Sequence, residues 1–167
     1  QGLDSFWFKS ACVHFFACLD RGLSRPPLHR PAMKLLTHNL LQCNKKGVVN
    51  GFPLIIRPTQ LKFEETTYDK NFVTAMIPKL EWDALLKATR ELRDSSCSQG
   101  LEGLPSWPEL PAAPSEADAS NEEFLRRLHT VLFDIHVIEG TLVCPESGRE
   151  FPVEKGIPNM LLNDDEV

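Results

Sequence analysis

No G-x-G-x-x-G run follows a strand-like stretch anywhere in the chain, so a nucleotide or S-adenosylmethionine fold of its own has no support. Basic charge is scarce as well. The sequence sets 18 Lys and Arg against 23 Asp and Glu, for a net charge of −5 over 167 residues. Free nucleic acid is held largely through phosphate neutralisation, so wrapping a polyanion is a poor fit. The basic residues that gather early, Lys9, Arg21, Arg25 and Arg30, face only Asp4 and Asp20 before Met33, which leaves an acidic body suited to a basic protein partner. Cys12, Cys18, Cys43, Cys97 and Cys144 are odd in number and scattered, which argues against a disulfide framework and favours a reducing intracellular compartment. The longest apolar run before Met33 spans 11–19, is broken by His14, and is too short to cross a bilayer. No secretory core with a small-residue cleavage site accompanies it. Catalytic groups are missing too. Cys97 has no evident His partner, and Glu64-Glu65 and Glu122-Glu123 read as solvated charge or helix capping.

What is present is concentrated in residues 140–162, GTLVCPESGREFPVEKGIPNMLL. Tetrahedral zinc takes two soft thiolates from one tight turn. Cys144-Pro145-Glu146-Ser147-Gly148 keeps the first Cys, the Pro and the turn Gly, but puts Ser147 where the second Cys would stand. A serine hydroxyl is a poor zinc ligand. The pattern reads as a hairpin scaffold for binding a partner.

Residues 1–32 differ from the rest. Phe6, Trp7, Phe8, Phe15 and Phe16 cluster there, and Arg25-Pro26-Pro27 and Arg30-Pro31 break any regular element. This segment is expected to be a disordered or non-native extension. From Met33 the pattern is coherent. Leu35, Leu36, Leu40 and Leu41 bracket Thr37-His38-Asn39, a polar turn follows at 42–47, and 52–57 and 59–63 are strand candidates. Asp69 can cap a helix bearing Phe72, Val73, Met76 and Ile77, with Pro78 at its end. Residues 80–93 carry Trp82, Leu85, Leu86 and Leu92 on one side of a second helix. Residues 94–120 are rich in Ser, Pro and Gly and read as a mobile loop. Ser120 and Glu123 form a capping-box pattern ahead of Phe124, Leu125, Leu128, Val131, Leu132 and Ile135, with His129 and His136 at the stripe's edges. Strands are expected over 137–143, 150–153 and 157–162, followed by a frayed acidic tail over 163–167. The class is α+β, with a small antiparallel sheet built from the two ends. A β lobe of 33–63 and 137–162 would carry an inserted helical lobe of 64–136 within one domain, 33–167.

These residues resemble a known family. Met33-Lys34-Leu35-Leu36-Thr37-His38-Asn39-Leu40-Leu41, Gly51-Phe52-Pro53-Leu54, Asn71-Phe72-Val73, Met76-Ile77-Pro78-Lys79 and Glu81-Trp82 look like the first half of the multifunctional methyltransferase subunits. Asn121-Glu122-Glu123-Phe124-Leu125, Ile138-Glu139-Gly140-Thr141-Leu142, the Cys144 knuckle through Arg149, and Gly156-Ile157-Pro158-Asn159-Met160-Leu161-Leu162 resemble the second half. The resemblance implies a zinc-ribbon-like sheet and a non-catalytic activator that heterodimerises with class I methyltransferases. Those partners bind S-adenosylmethionine and modify transfer RNA, small-subunit (18S) ribosomal RNA and a translation release factor. It also implies, for many members, zinc held by four cysteines. Only Cys43 and Cys144 match ligand positions here, with Ser147 and Val48 or a neighbour at the others. Two thiolates do not close a structural site, so these positions are vestigial and no cofactor is expected.

Docking is expected by strand addition to an exposed edge beside an apolar patch. The candidate partner-binding residues are Leu40, Leu41, Phe52, Ile157, Pro158, Asn159, Met160 and Leu161. Pro158 is the most informative of them, because proline is confined to edge strands and bulges. The alternative is a zinc-ribbon-like nucleic-acid-binding module, but its hairpin would offer only Arg149 and Lys155 against Glu146, Glu150 and Glu154.

Overall fold

The computed structural model describes residues 32–99, 101–104, 106–115 and 118–167. The expectation for 1–32 therefore lies, but for its last residue, outside the described residues. The elements run in the order β1 (Met33–Lys34), α1 (Leu35–His38), β2 (Ile55–Phe63), α2 (Lys70–Met76), α3 (Trp82–Arg93), α4 (Glu122–His129), β3 (Ile135–Val143), β4 (Glu150–Glu154) and β5 (Ile157–Pro158). The α+β class expected from the sequence is the one observed.

All strands form one antiparallel sheet around β3. β2 lies along the whole of β3, from Ile55 opposite Val143 to Phe63 opposite Ile135. On the other side of β3, β1 pairs with His136 and Val137, and β4 pairs with residues 140–143. β5 then adds outside β4, with Pro158 opposite Val153. The two candidate strands at 52–57 and 59–63 are one strand, with register shifts between Pro58 and Leu61. Gly140 faces that irregularity, where a Cβ would sit 2.7 Å from the Arg57 carbonyl oxygen. Only a residue without a side chain lets the backbones approach this closely. The last hairpin closes on Lys155 and Gly156, both at positive φ, the pair of left-handed positions that a two-residue turn of matching twist requires. β5 is shorter than expected: pairing ends at Pro158, which has no N–H to give.

Helices cover one side of this sheet. Asp69 caps α2 by accepting the Phe72 N–H at 3.1 Å, as its position suggests. The cap of α4 is Asn121, whose side-chain oxygen accepts the N–H groups of Glu123 and Phe124; the capping box assigned to Ser120 is corrected. The α-helix is also shorter than its apolar stripe. After His129 it widens into a π turn (Thr130–Asp134), and Ile135 already belongs to β3. That turn places Asp134 to accept the Thr66 backbone N–H at 2.9 Å and hydroxyl at 2.7 Å, and its Oδ2 lies 3.4 Å from His129 Nδ1. His129 and His136, expected at the surface or the core's edge, are both buried.

One apolar core runs through both halves, joining Met33, Leu54 and Val153 to Leu85, Leu125 and Leu132. The loop expected to be mobile is anchored to it: Leu101, Leu104, Trp107 and Leu110 pack against the core, and Trp82 Nε1 donates to the Pro111 carbonyl at 3.0 Å. His38 is buried with its Nε2 2.9 Å from the Leu54 carbonyl oxygen, and burial lowers its pKa from the ordinary value.

Candidate functional site

The sheet has one long rim, along β2, and short outer edges at β1 and β5. Along β2 side chains meet three backbone groups. Glu91 of α3 accepts the Ile56 N–H at 2.8 Å, and the Cys97 thiol donates to the carbonyls of Pro58 and Thr59. Burial pushes the Glu91 carboxyl up, and the Ile56 N–H opposes that. On the β5 side no further strand follows among the described residues. An unpaired edge is a template for another chain unless something covers it.

Of the candidate docking residues, Ile157 and Pro158 form β5 and Asn159, Met160 and Leu161 follow it, whereas Leu40, Leu41 and Phe52 belong to the segments between α1 and β2. Ile157 is 55% exposed, Leu161 78% and Leu40 69%, and Asn159 is exposed. Leu41, Phe52, Pro158 and Met160 are half-buried, and Leu41 and Met160 also pack against the core. Asn159 shapes the segment after β5: its N–H donates to the Pro152 carbonyl, and its side-chain oxygen accepts the Leu161 N–H at 3.1 Å. None of the eight is fully buried. Val49, two residues after Gly47, is 85% exposed as well.

The two turns meet at one end of the sheet. Glu146 of the closing knuckle accepts the N–H groups of Val49 and Asn50 in the first turn. The C-terminal tail, expected to fray, instead fixes both turns. Glu166 is buried, with Lys45 Nζ at 3.0 Å and Arg149 Nη2 at 3.2 Å, and the Lys46 N–H donates to its carbonyl at 2.8 Å. The Asn163 N–H and then Lys45 hold its carboxyl below the usual carboxylate range. The ionised form is thus favoured in the folded chain, and the stability it adds is present above pH 4.5 and is lost as pH falls through the lower folded value. Glu166→Gln should lower the urea midpoint at pH 7. The gap from the parent should narrow with added salt and close as the pH drops below 4.5.

Cys43 and Cys144 face each other within this meeting point. Both thiols are buried and free. Burial raises Cys43; burial opposes Cys144 likewise, but Ser147 and the Glu146 and Ser147 N–H groups outweigh it and draw that thiol down. The other two positions of a four-thiolate set hold Ser147 and the neighbourhood of Val48. Among the described residues no three His, Cys, Asp or Glu side chains gather in a metal-holding group. Two thiols and a hydroxyl do not fit a structural zinc.

The composition of Thr66, His129 and Asp134 suggests a nucleophile, base and acid. Their geometry does not. The Thr66 hydroxyl donates to Asp134 at 2.7 Å and stands 3.4 Å from His129 Nε2, so its proton is committed to the carboxylate. The trio ties α4 to the end of β2, beside a cleft of about 770 Å³ lined by Phe63, Trp107, Arg126 and Arg127.

The Trm112p-like protein family matches residues 34–156. A "Multifunctional methyltransferase subunit TRM112-like protein" of Mus musculus is 46% identical over 136 residues, covering 81% of this chain and 98% of the relative. The chain belongs to the Trm112p-like family. "Multifunctional methyltransferase subunit TRM112 homolog A" of Arabidopsis thaliana is 44% identical over 137 residues, covering 81% of this chain and 100% of the relative. A solved chain of the E. cuniculi Mtq2–Trm112 complex, described as responsible for methylating the eRF1 translation termination factor, has 22% identity and a TM-score of 0.45 over 77% of this chain and 95% of that one.

Proposed function

We propose that this protein is a non-catalytic subunit that binds and activates S-adenosylmethionine-dependent methyltransferases acting on transfer RNA, small-subunit ribosomal RNA and a translation release factor. One observation supports the docking route above the others: the sheet has one rim partly occupied by Glu91 and Cys97 and an open edge at β5, flanked by exposed Ile157 and Leu161. A partner's edge strand adds there and its apolar flank covers the leucines and isoleucine. The names of the relatives, methyltransferase subunits, agree with this reading. Activation follows from mass action. Binding the native partner and not its unfolded chain raises the fraction that is folded with an ordered cofactor pocket. The setting is the nucleus and cytoplasm.

The nucleic-acid-binding alternative is less favoured. Arg149 is engaged by Glu166, and the hairpin's other base, Lys155, follows Glu154. The deciding experiment co-expresses a release-factor methyltransferase with and without this chain. The chain alone should transfer no methyl group, and the pair should be soluble and active. Turnover by the chain alone, or a partner equally soluble and active without it, would overturn the proposal.

A further inference from the structure

Asn50 and Gly51 make an Asn-Gly pair at the end of the first turn, and the fold fixes both members. Gly51 is buried. Its carbonyl accepts the Cys43 N–H at 2.9 Å, and a Cβ at this position would collide with the Cys43 carbonyl oxygen. So close an approach demands glycine. Asn50 is exposed, and its N–H and that of Val49 donate to Glu146 of the closing knuckle. No backbone carbonyl among the described residues accepts the Gly51 N–H, so that nitrogen belongs to no ladder. An asparagine amide and the nitrogen of the next residue lie one ring closure apart, which makes asparagine thermolabile, and a glycine in second place puts no side chain in the way. Asn39, Asn121 and Asn159 are committed instead. Asn39 is buried and exchanges hydrogen bonds with the Glu81 backbone, Asn121 caps α4, and Asn159 accepts the Leu161 N–H. Leu40, Glu122 and Met160, each with a side chain, follow them.

We propose that Asn50 is a modification site that water converts to aspartate and isoaspartate through attack by the Gly51 nitrogen, loosening the link between the first turn and the closing knuckle. The Gly51 nitrogen gives its proton to solvent and bonds to Asn50 Cγ. The Cγ–Nδ2 bond breaks, and the amide leaves as ammonia with a proton from solvent, which closes a succinimide ring. Water then adds to one of the two ring carbonyls, and the bond from that carbon to the Gly51 nitrogen breaks. Opening at Cγ leaves aspartate at this position. Opening at the main-chain carbonyl leaves isoaspartate, with the chain running through the former side chain. No electrons change hands, and water is the co-reactant. Both products set a second carboxylate near Glu146, whose Oε2 accepts the Val49 and Asn50 N–H groups, and like charges repel. Isoaspartate also lengthens the main chain by a methylene just before the buried Gly51. The site therefore marks the age of each molecule.

The test incubates the full chain in mildly alkaline buffer at physiological temperature and samples it over several days. The intact mass should rise by the exchange of an amide NH2 for OH. Digestion should place that change on the peptide holding Asn50, in aspartate and isoaspartate forms that separate by chromatography. Conversion there should run ahead of conversion at Asn39, Asn121 and Asn159. The thermal midpoint of the converted fraction should fall by roughly 3 °C or more, the shift that follows when a hydrogen bond to a charged group is weakened in a domain of this size. Asn50→Gln, whose longer side chain closes a less favoured ring, should keep both the peptide mass and the midpoint over the same period. An Asn50 peptide that keeps its amide, one that converts only after urea unfolds the chain, or conversion with an unchanged midpoint would overturn the proposal. The readout needs no partner, so it stands or falls apart from methyltransferase binding.

Discussion

The double variant Ile157→Asp, Leu161→Asp is expected to fold as the parent does and to lose its methyltransferase partner. Both side chains are exposed in the free chain, at 55% and 78%, so neither carboxylate enters the core. In the complex each would be desolvated opposite an apolar surface. Truncating a central interface residue costs about 2 kcal/mol or more, and a buried unpaired charge costs at least as much. Affinity should therefore fall by on the order of 30-fold or more. Co-purification from cells expressing both proteins measures this directly, with circular dichroism of the isolated variant as the folding check. A folded variant that still recovers the partner in full yield would remove β5 and its flank from the interface.

Leu132→Ala should give the largest loss of stability. Leu132 is fully buried within the π turn, where the helical layer meets the sheet. A buried Leu→Ala change costs about 2–5 kcal/mol through lost burial and the cavity left behind. That is a large part of the total stability of roughly 5–15 kcal/mol that a domain has. The urea midpoint should fall with little change in slope. A shift equivalent to under about 1 kcal/mol would mean that the π turn collapses onto the vacancy, as the spread among such substitutions allows.

The local devices were legible in the sequence. Asp69 caps its helix because a short carboxylate before an apolar stripe has an N–H within reach, and Trp82, Leu85 and Leu92 line one face because their spacing repeats with the helix. The knuckle at Cys144 and the open segment at Ile157-Pro158 were readable for the same reason. What escaped depends on distant partners. Periodicity cannot register the π turn, because its widening serves Asp134's bonds to Thr66, far back in the chain. Ser120 and Asn121 compete for one cap, and the 3-10 turn before α4 gives the place to Asn121. Glu166 looked like part of a solvated acidic tail, since nothing local shows that Lys45 and Arg149 converge on it. The burial of His129 follows from Tyr68 and Phe133 packing on its ring, which no local spacing shows.

Glu91 and Cys97 have a consequence beyond tidying β2. With the β2 flank partly stoppered, strand addition is directed to the opposite side of the sheet. On the docking route proposed above, methyltransferases compete for that one berth, so the abundance of this small subunit apportions modification among them.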